Sequence, residues 1–191
     1  MNLHKAKKMI FKMQGCFAKL KLNMVSEKDV LDNDAVPPHL EFSAQVTIGL
    51  LNYERLSAKY YPALKMIELS LYFNPKYEEY KRQSIIHLLN YINLARSEAH
   101  WALCGCCNEI ELRSATIIKD ILSEKYFMQM VKKIIYLGRI FFPLIQKQIT
   151  NSHDPYELAS EFFAENKKLL LPQFCGIPEM YVEEQTKINI I

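Results

Sequence analysis

The stretch Lys59–Pro75, KYYPALKMIELSLYFNP, decides the fold that we expect from this sequence. Its apolar and small side chains recur at intervals of three and four residues, at Tyr60, Ala63, Leu64, Ile67, Ser70, Leu71 and Phe73. This spacing places them on one face of an α-helix, which Asn74 and Pro75 would end. A single amphipathic helix that ends at a proline explains the same residues, so the neighbouring segments decide between the two interpretations.

The neighbouring segments show helical spacing as well. Leu40–Ala58 carries apolar side chains at such intervals, and Tyr77–Cys106 is expected to form the longest helix. Gly49 and Ala63 are small enough to let two helices cross closely. We therefore predict the all-α class, with antiparallel helical hairpins stacked as an α-solenoid of the tetratricopeptide type.

The N-terminal segment 1–24 is expected to form a basic amphipathic helix. Its apolar stripe comprises Leu3, Ala6, Ile10, Met13, Phe17, Leu20 and Met24. Lysines lie off this stripe, and no acidic residue precedes Glu27. We favour a helix that packs on the core with its lysines in solvent; a membrane-surface or targeting helix and a partner-binding helix are the alternatives.

The rest of the chain divides by composition. Segment 25–39 contains acidic residues and the pair Pro37-Pro38 and is predicted to be a linker. Segment 40–175 is the predicted helical domain, and 176–191 is a C-terminal tail.

Three more helices are expected in the second half of the domain. Asn108 could cap a helix over Ile110–Leu122. A further apolar stripe comprises Phe127, Val131, Ile134, Gly138, Phe141 and Ile145, with Pro143 inside it. Asp154 as N-cap, followed by Pro155 and Glu157, is typical of a helix start.

Composition limits the class of protein. The chain has 191 residues, 50% hydrophobic and 24% charged, which suits one globular domain. A net charge of +3 is too small to indicate a nucleic-acid partner. The apolar run Ile134–Ile145 is too short and too interrupted for a membrane span, and no secretory signal is visible. Five cysteines, an odd number, suggest reduced thiols in a cytoplasmic protein.

One group of residues has the side-chain types of a metal site. His100, Cys104, Cys107 and Glu111 would share one side of a helix, and zinc or copper accepts such ligands. A single helix cannot surround a tetrahedral ion, however, and free cysteines are commonly buried. We therefore expect Cys104, Cys106 and Cys107 to be packing residues, and we predict no metal and no cofactor.

No strong catalytic pattern is present in the sequence. Arg82 and His87 form an R-x4-H pair, the minimal signature of helical ribonucleases of the HEPN type, but five residues is a poor spacing for a shared helix face. Nucleophile triads and glycine-rich phosphate loops are missing at usable spacing. The chain is expected not to be an enzyme, with a HEPN-like ribonuclease or toxin, or a generic interaction scaffold, as alternatives.

The run Leu50–Ala95 resembles the C-terminal region of the KIF-binding protein family. The similarity lies in the junction Phe73–Tyr77 and in the pair Arg82-Gln83, and it continues weakly through Tyr136–Arg139 and 154–159. Proteins of that family are longer, so this chain would correspond to their C-terminal part. The resemblance implies a helical-repeat adaptor, associated with the cytoskeleton, that binds kinesin motor domains, inhibits their microtubule association and so regulates microtubule-based transport.

A partner-binding surface is expected around the junction at Asn74-Pro75. Tyrosine and arginine are enriched at the energetic centres of interfaces. The candidate contact residues are Tyr72, Lys76, Tyr77, Tyr80, Lys81 and Arg82. The alternative is that they form only a solvent-exposed turn between repeats.

Overall fold

A computed structural model gives the fold and describes residues 3–25, 39–48, 52–95, 99–105, 108–118 and 122–166. Within these ranges the chain forms four α-helices and six β-strands. The helices are α1 (Leu3–Lys19), α2 (Arg82–Ala95), α3 (Glu124–Thr150) and α4 (Pro155–Glu165). The strands are β1 (Asn23–Val25), β2 (Leu40–Ile48), β3 (Asn52–Tyr61), β4 (Met66–Phe73), β5 (His100–Leu103) and β6 (Ile110–Ile117).

The predicted all-α solenoid is wrong. The six strands form one antiparallel sheet in the order β1-β2-β3-β4-β6-β5. The stretch Lys59–Pro75 contributes the end of β3, a turn over residues 62–65, and β4, while Leu40–Ala58 contributes β2 and most of β3. The fold is therefore a mixed one, with helices packed against an antiparallel sheet, and it contains no tetratricopeptide hairpins among the described residues.

A period of two explains why these segments are strands. In β2 every second side chain is buried, and these are Leu40, Phe42, Ala44, Val46 and Ile48. The side chains between them are polar, which is the pattern of a sheet with one face on a core and one face toward water. Strand β4 also alternates apolar and polar residues, but Glu68 and Ser70 on its other face are buried as well. Leu71 of β4 pairs with Leu56 on one side and Leu112 on the other.

Described helices pack on the core-facing side of the sheet. Helix α3 lies centrally, against β2, β4 and β6. Helix α1 lies over β1, β2 and β3, where the rings of Phe17 and Phe42 meet edge-on at 4.8 Å between centroids. Helix α2 runs beside the edge strand β5, and α4 packs on α2 and α3.

The free edge of β5 is closed by a side chain of α2. The amide of Asn93 donates to the carbonyl oxygen of Trp101 at 2.8 Å and accepts from the backbone N–H of Trp101 at 2.7 Å. A strand edge with unpaired backbone groups invites pairing with another chain. Asn93 satisfies both groups and fixes α2 at this end of the sheet.

Gly138 sets how closely α3 approaches the sheet. A Cβ atom at this position would lie 2.6 Å from Leu71 Cδ2 and 3.1 Å from Phe73 Cζ. Both neighbours are fully buried, so neither can move aside freely. The absence of a side chain at Gly138 therefore allows the central helix to lie directly on β4.

Several helical predictions are confirmed. The buried residues of α1 include Ala6, Ile10, Met13 and Phe17 from the predicted stripe. All six stripe residues of α3 are buried, and the helix continues through Pro143. Asp154 caps α4 by accepting from the backbone N–H groups of Tyr156 and Glu157.

Other local predictions are wrong. The helix expected over Tyr77–Cys106 ends at Ala95, and Asn108 precedes β6 with a left-handed backbone (φ 52°) instead of capping a helix. Ala63 is exposed in a turn and is not a helix contact. Gly49, Cys106, Cys107, most of the predicted linker 25–39 and the tail 176–191 lie outside the described residues.

We predict opposite effects of alanine at two helical glycines. Gly15→Ala in α1 should raise the free energy of unfolding by about 0.5–1 kcal/mol, because its Cβ meets no atom within 4 Å and alanine favours the helix. Gly138→Ala should lower the free energy of unfolding by about 1 kcal/mol. The new methyl group would be crowded against Leu71, and this cost exceeds the gain from the higher helix propensity of alanine. Urea denaturation measures both. Equal stabilisation by the two substitutions would contradict the close packing of α3.

Candidate functional site

The predicted partner-binding residues are divided between two places. Tyr72 lies on β4, on the sheet face opposite the helices. The other five lie on the connection from β4 into α2, and they are Lys76, Tyr77, Tyr80, Lys81 and Arg82. Lys76 and Tyr80 are exposed, whereas Tyr77 is half-buried against the core.

Two residues of this set hold the structure together. The Lys81 ammonium donates to the carbonyl oxygens of Ile149 and Thr150 at the C-terminal end of α3. The Arg82 guanidinium donates to Cys104 O at 2.8 Å and to Asn108 Oδ1 at 2.9 Å, which ties α2 to the β5–β6 turn. The charged groups of both residues therefore donate hydrogen bonds to backbone carbonyl oxygens, which leaves them less available to a partner.

The ribonuclease and metal candidates are not assembled in the described part of the chain. His87 contacts Gln83 at 2.8 Å between the Nε2 atoms, while Arg82 points toward the β5–β6 turn. His100 begins β5, Cys104 follows it and Glu111 lies on β6, so they do not share a helix face. Among the described residues no three His, Cys, Asp or Glu side chains are placed to hold a metal ion.

The sheet face opposite the helices carries a network of charged and aromatic side chains, which we call the outer sheet face. Its members are Arg55, Lys59, Glu68, Tyr72, Glu111 and Arg113. Glu68, only 7% exposed, has Lys59 Nζ at 3.9 Å and Arg113 Nε at 3.8 Å from its carboxylate oxygens. The Arg55 guanidinium carbon lies 4.1 Å from the centre of the Tyr72 ring.

Charges on the outer sheet face are paired with one another. Arg113 donates two hydrogen bonds to the Glu111 carboxylate, at 2.7 and 3.2 Å. Burial alone would raise the pKa of Glu111, but the hydrogen bonds and positive charge of Arg113 act in the opposite direction, and the net effect is a lowered pKa. Arg113 in turn has a raised pKa, mainly because of its hydrogen bond to Glu111. The acidic and basic side chains of the outer sheet face thus neutralise one another and leave little unpaired charge for a ligand.

A carboxyl group near the start of β3 is set apart from this network. Burial raises the pKa of Glu54 to about 7, against a lowering effect of a hydrogen bond from the Asn74 backbone. A carboxyl group that titrates near neutral pH can serve as a general acid or base. Glu54 has no metal-ligating cluster around it among the described residues, so the observation supports a pH effect on stability rather than a reaction.

An apolar groove lies between α2 and α4, at the β5 end of the molecule. It has a volume of about 520 Å³ and is lined by Tyr91, Leu94, Ala95, Tyr156, Ala159, Ser160, Phe163 and Ala164. The rings of Tyr91 and Tyr156 meet edge-on across the two helices, with 5.3 Å between their centroids. Leu94 is 84% exposed and Tyr156 is 59% exposed. Large apolar side chains this accessible on facing helices mark a surface that can receive another apolar group.

A row of acidic residues runs along α4 beside the groove, although none of them lines it. Glu157, Glu161 and Glu165 recur every fourth residue along α4, and all three are exposed. Residues four apart lie on one side of a helix, about 6 Å from one another along its axis. Helix α4 contains no lysine or arginine, and α2 contributes none after Arg82. The lining of the groove is therefore uncharged, and a row of negative charge flanks it on the α4 side.

The α2/α4 groove was missed by the sequence analysis. The buried stripe of α2 comprises Ile85, Leu88, Leu89 and Ile92, and Leu94 lies off it. An exposed leucine beside a complete stripe was a usable signal, as was the regular spacing of the glutamates in α4. Their proximity was not readable, because it depends on α4 packing against α2 after about sixty intervening residues.

Comparison with known proteins gives no match: no protein-family model, no curated protein and no solved structure is similar to this chain. The resemblance to the KIF-binding protein family therefore rests only on the sequence features given above. None of the described helices is long and apolar enough to cross a membrane.

We predict that stability falls as pH rises through the titration of Glu54. The folded state binds the Glu54 proton more tightly than the unfolded state does. The contribution of Glu54 to the free energy of unfolding is therefore largest below pH 4.5 and is lost between about pH 4.5 and 7. Glu54→Gln should stabilise the protein at pH 8 by about 1 kcal/mol, discounted because the group is half-exposed, and should have little effect at pH 4.

Urea denaturation across this pH range measures the effect. Glu161→Gln, on an exposed position of α4, is the matched control and should leave the pH profile unchanged. A Glu54→Gln profile parallel to that of the wild type would contradict the assignment.

Proposed function

We propose that this protein is a protein-binding module whose α2/α4 groove receives an amphipathic helix with lysine or arginine along one flank. The observation that carries this proposal is the combination of the exposed Leu94 and Tyr156 with the acidic row of α4. Helix-in-groove recognition uses an apolar stripe in a groove between helices, with charges at the margin.

The groove suits a ligand better than the outer sheet face does. On the outer sheet face, Glu68 and Glu111 already contact Lys59 or Arg113. A ligand there would have to replace these ion pairs, at a desolvation cost. In the groove, by contrast, apolar surface at Leu94 and Tyr156 meets water, and covering it is favourable.

The chemistry of the ligand follows from the two features of the groove. Small residues, Ala95, Ala159 and Ala164, leave room for the large side chains of an incoming helix. The row Glu157, Glu161 and Glu165 favours positive charge at the same spacing, and exposed charges of this kind guide association and orientation more than they add affinity. An acidic helix would be repelled.

The proposal is tested with a labelled helical peptide of leucine and lysine, and with a leucine–glutamate peptide of the same pattern. Fluorescence anisotropy should show binding of the first peptide and not of the second. Leu94→Glu should weaken binding at least about tenfold, equivalent to about 1.4 kcal/mol, without unfolding the protein, because the Leu94 side chain is largely in solvent. Added salt should also weaken binding.

Leu64→Glu supplies the matched control, because Leu64 is 61% exposed in the β3–β4 turn and does not line the α2/α4 groove. It should bind the peptide as the wild type does. Equal affinity of Leu94→Glu and Leu64→Glu for the leucine–lysine peptide would exclude the groove as the binding site.

Binding of a kinesin motor domain is a second proposal, implied by the family resemblance. The junction residues Lys76 and Tyr80 are exposed and favour it, whereas Lys81 and Arg82 are committed to backbone contacts. Lys76→Glu should therefore weaken motor binding without loss of stability, while charge reversal at Arg82 should destabilise the fold. Co-sedimentation of a motor domain with microtubules measures the effect; a motor that stays bound at every concentration of the wild-type chain would contradict it.

A further inference from the structure

From the exposed face of α1 we infer that the ligand of the α2/α4 groove is a second copy of this chain, which docks Phe11 and its flanking lysines so that molecules join head to tail. This inference rests on the proposed function of the groove. It adds the identity of the ligand.

The exposed face of α1 matches the chemistry that the groove requires. Phe11 is 61% exposed although it lies in the middle of a helix whose apolar stripe is already buried. Lys8, three residues before Phe11 on the same helix, and Lys5, three residues before Lys8, are exposed, and α1 contains no acidic residue. Gly15 and the exposed Ala18 continue the same face with little side-chain bulk, which would permit close approach of another helix.

Charge spacing is compatible on the two surfaces. Lys5 and Lys8 are one helical turn apart, about 4.5 Å along the axis, and neighbouring glutamates of the α4 row are about 6 Å apart. Phe11 lies one turn beyond Lys8, so its ring can reach the groove while the lysines approach the acidic row of α4 beside it. Lys12 and Lys19 are not part of this match, because they contact Leu122 O and Glu124.

The two surfaces of one molecule cannot meet each other. Helix α1 packs over the β1 end of the sheet, and the groove lies beside β5 at the opposite end. Six strands at about 4.8 Å spacing place these ends about 24 Å apart. The contact must therefore join different molecules.

Because the two contacting surfaces differ, the contact is heterologous and leaves one free α1 face and one free groove on every pair. Such contacts build open chains or rings rather than a closed two-fold dimer. The expected behaviour is a molar mass that rises with protein concentration without stopping at two chains, and that falls as salt screens the lysine–glutamate attraction.

Analytical ultracentrifugation of the full chain tests the inference. Wild type and Leu64→Glu should associate alike, whereas Phe11→Glu and Leu94→Glu should each be monomeric at concentrations where the wild type associates. An equimolar mixture of Phe11→Glu and Leu94→Glu should form a pair and stop there, because the first retains only its groove and the second retains only its α1 face. Phe11→Ser serves as a second variant, and circular dichroism checks that all variants are folded.

A charge exchange gives an independent readout. Lys8→Glu and Glu161→Lys should each weaken self-association several-fold, and mixing the two should restore it in part, because the exchanged charges again attract one another.

The outcomes separate the inference from the proposed function. A wild-type chain that stays monomeric at all concentrations, yet binds the leucine–lysine peptide through Leu94, overturns self-association and leaves the groove as a site for another protein's helix. Association that survives both Phe11→Glu and Leu94→Glu also overturns the inference. Peptide binding that ignores Leu94 overturns the groove itself. Peptide binding that increases on Leu170→Glu would assign residues 167–191 of the same chain as the ligand of the groove, and would overturn the inference of a second copy.

Discussion

The contact between Gly138 of α3 and the side chains of Leu71 and Phe73 organises this molecule. Leu71 lies near the middle of the sheet, where it pairs with Leu56 on β3 and with Leu112 on β6. Only a residue without a side chain lets the helix axis come this close, and the ring of Phe142, one turn further along, then stacks on Phe73 at 4.3 Å. The central helix divides the covered face of the sheet, so that α1 packs on one side of it and α2 with α4 on the other.

This division separates the charges of the molecule. Lysines are concentrated on α1 at one end, and glutamates on α4 at the other. The outer sheet face between these ends has both signs, but they compensate one another through contacts such as that of Arg113 with Glu111. The surfaces that remain open to a ligand are therefore at the two ends of the sheet. There, exposed apolar side chains lie beside charges of a single sign.

The helices of the fold were predictable where the signal is local. Asp154 with Pro155 determines the start of α4, and the long stripe of α3 can be satisfied only by a helix. Strands β2 and β4 were misassigned because their apolar residues fit the spacing of a helix as well as that of a strand. Ile67 and Leu71 are four residues apart, which fits a helix face, but they are also an even number apart, which fits a strand face. Strand pairing decides between the two, and it involves partners such as Leu112 that are distant in sequence.

The candidate site was less predictable than the fold, since exposure depends on distant contacts. Lys81 and Arg82 are residue types that are common at interfaces, yet both donate hydrogen bonds to backbone carbonyl groups of other elements, those of Ile149 and Cys104. Leu94 showed the opposite case, an apolar residue that no part of the described chain covers. A local pattern identifies which side chains could bind, and only the packing shows which of them remain available.

We propose binding in the groove between α2 and α4 and not on the outer sheet face. The most direct test of this proposal is an NMR titration of the isotope-labelled chain with the leucine–lysine peptide. Binding in the groove should change the backbone amide shifts of Leu94, Tyr156 and Glu161 and leave those of Lys59, Glu68 and Arg113 constant. Changes concentrated at the latter three residues would contradict it.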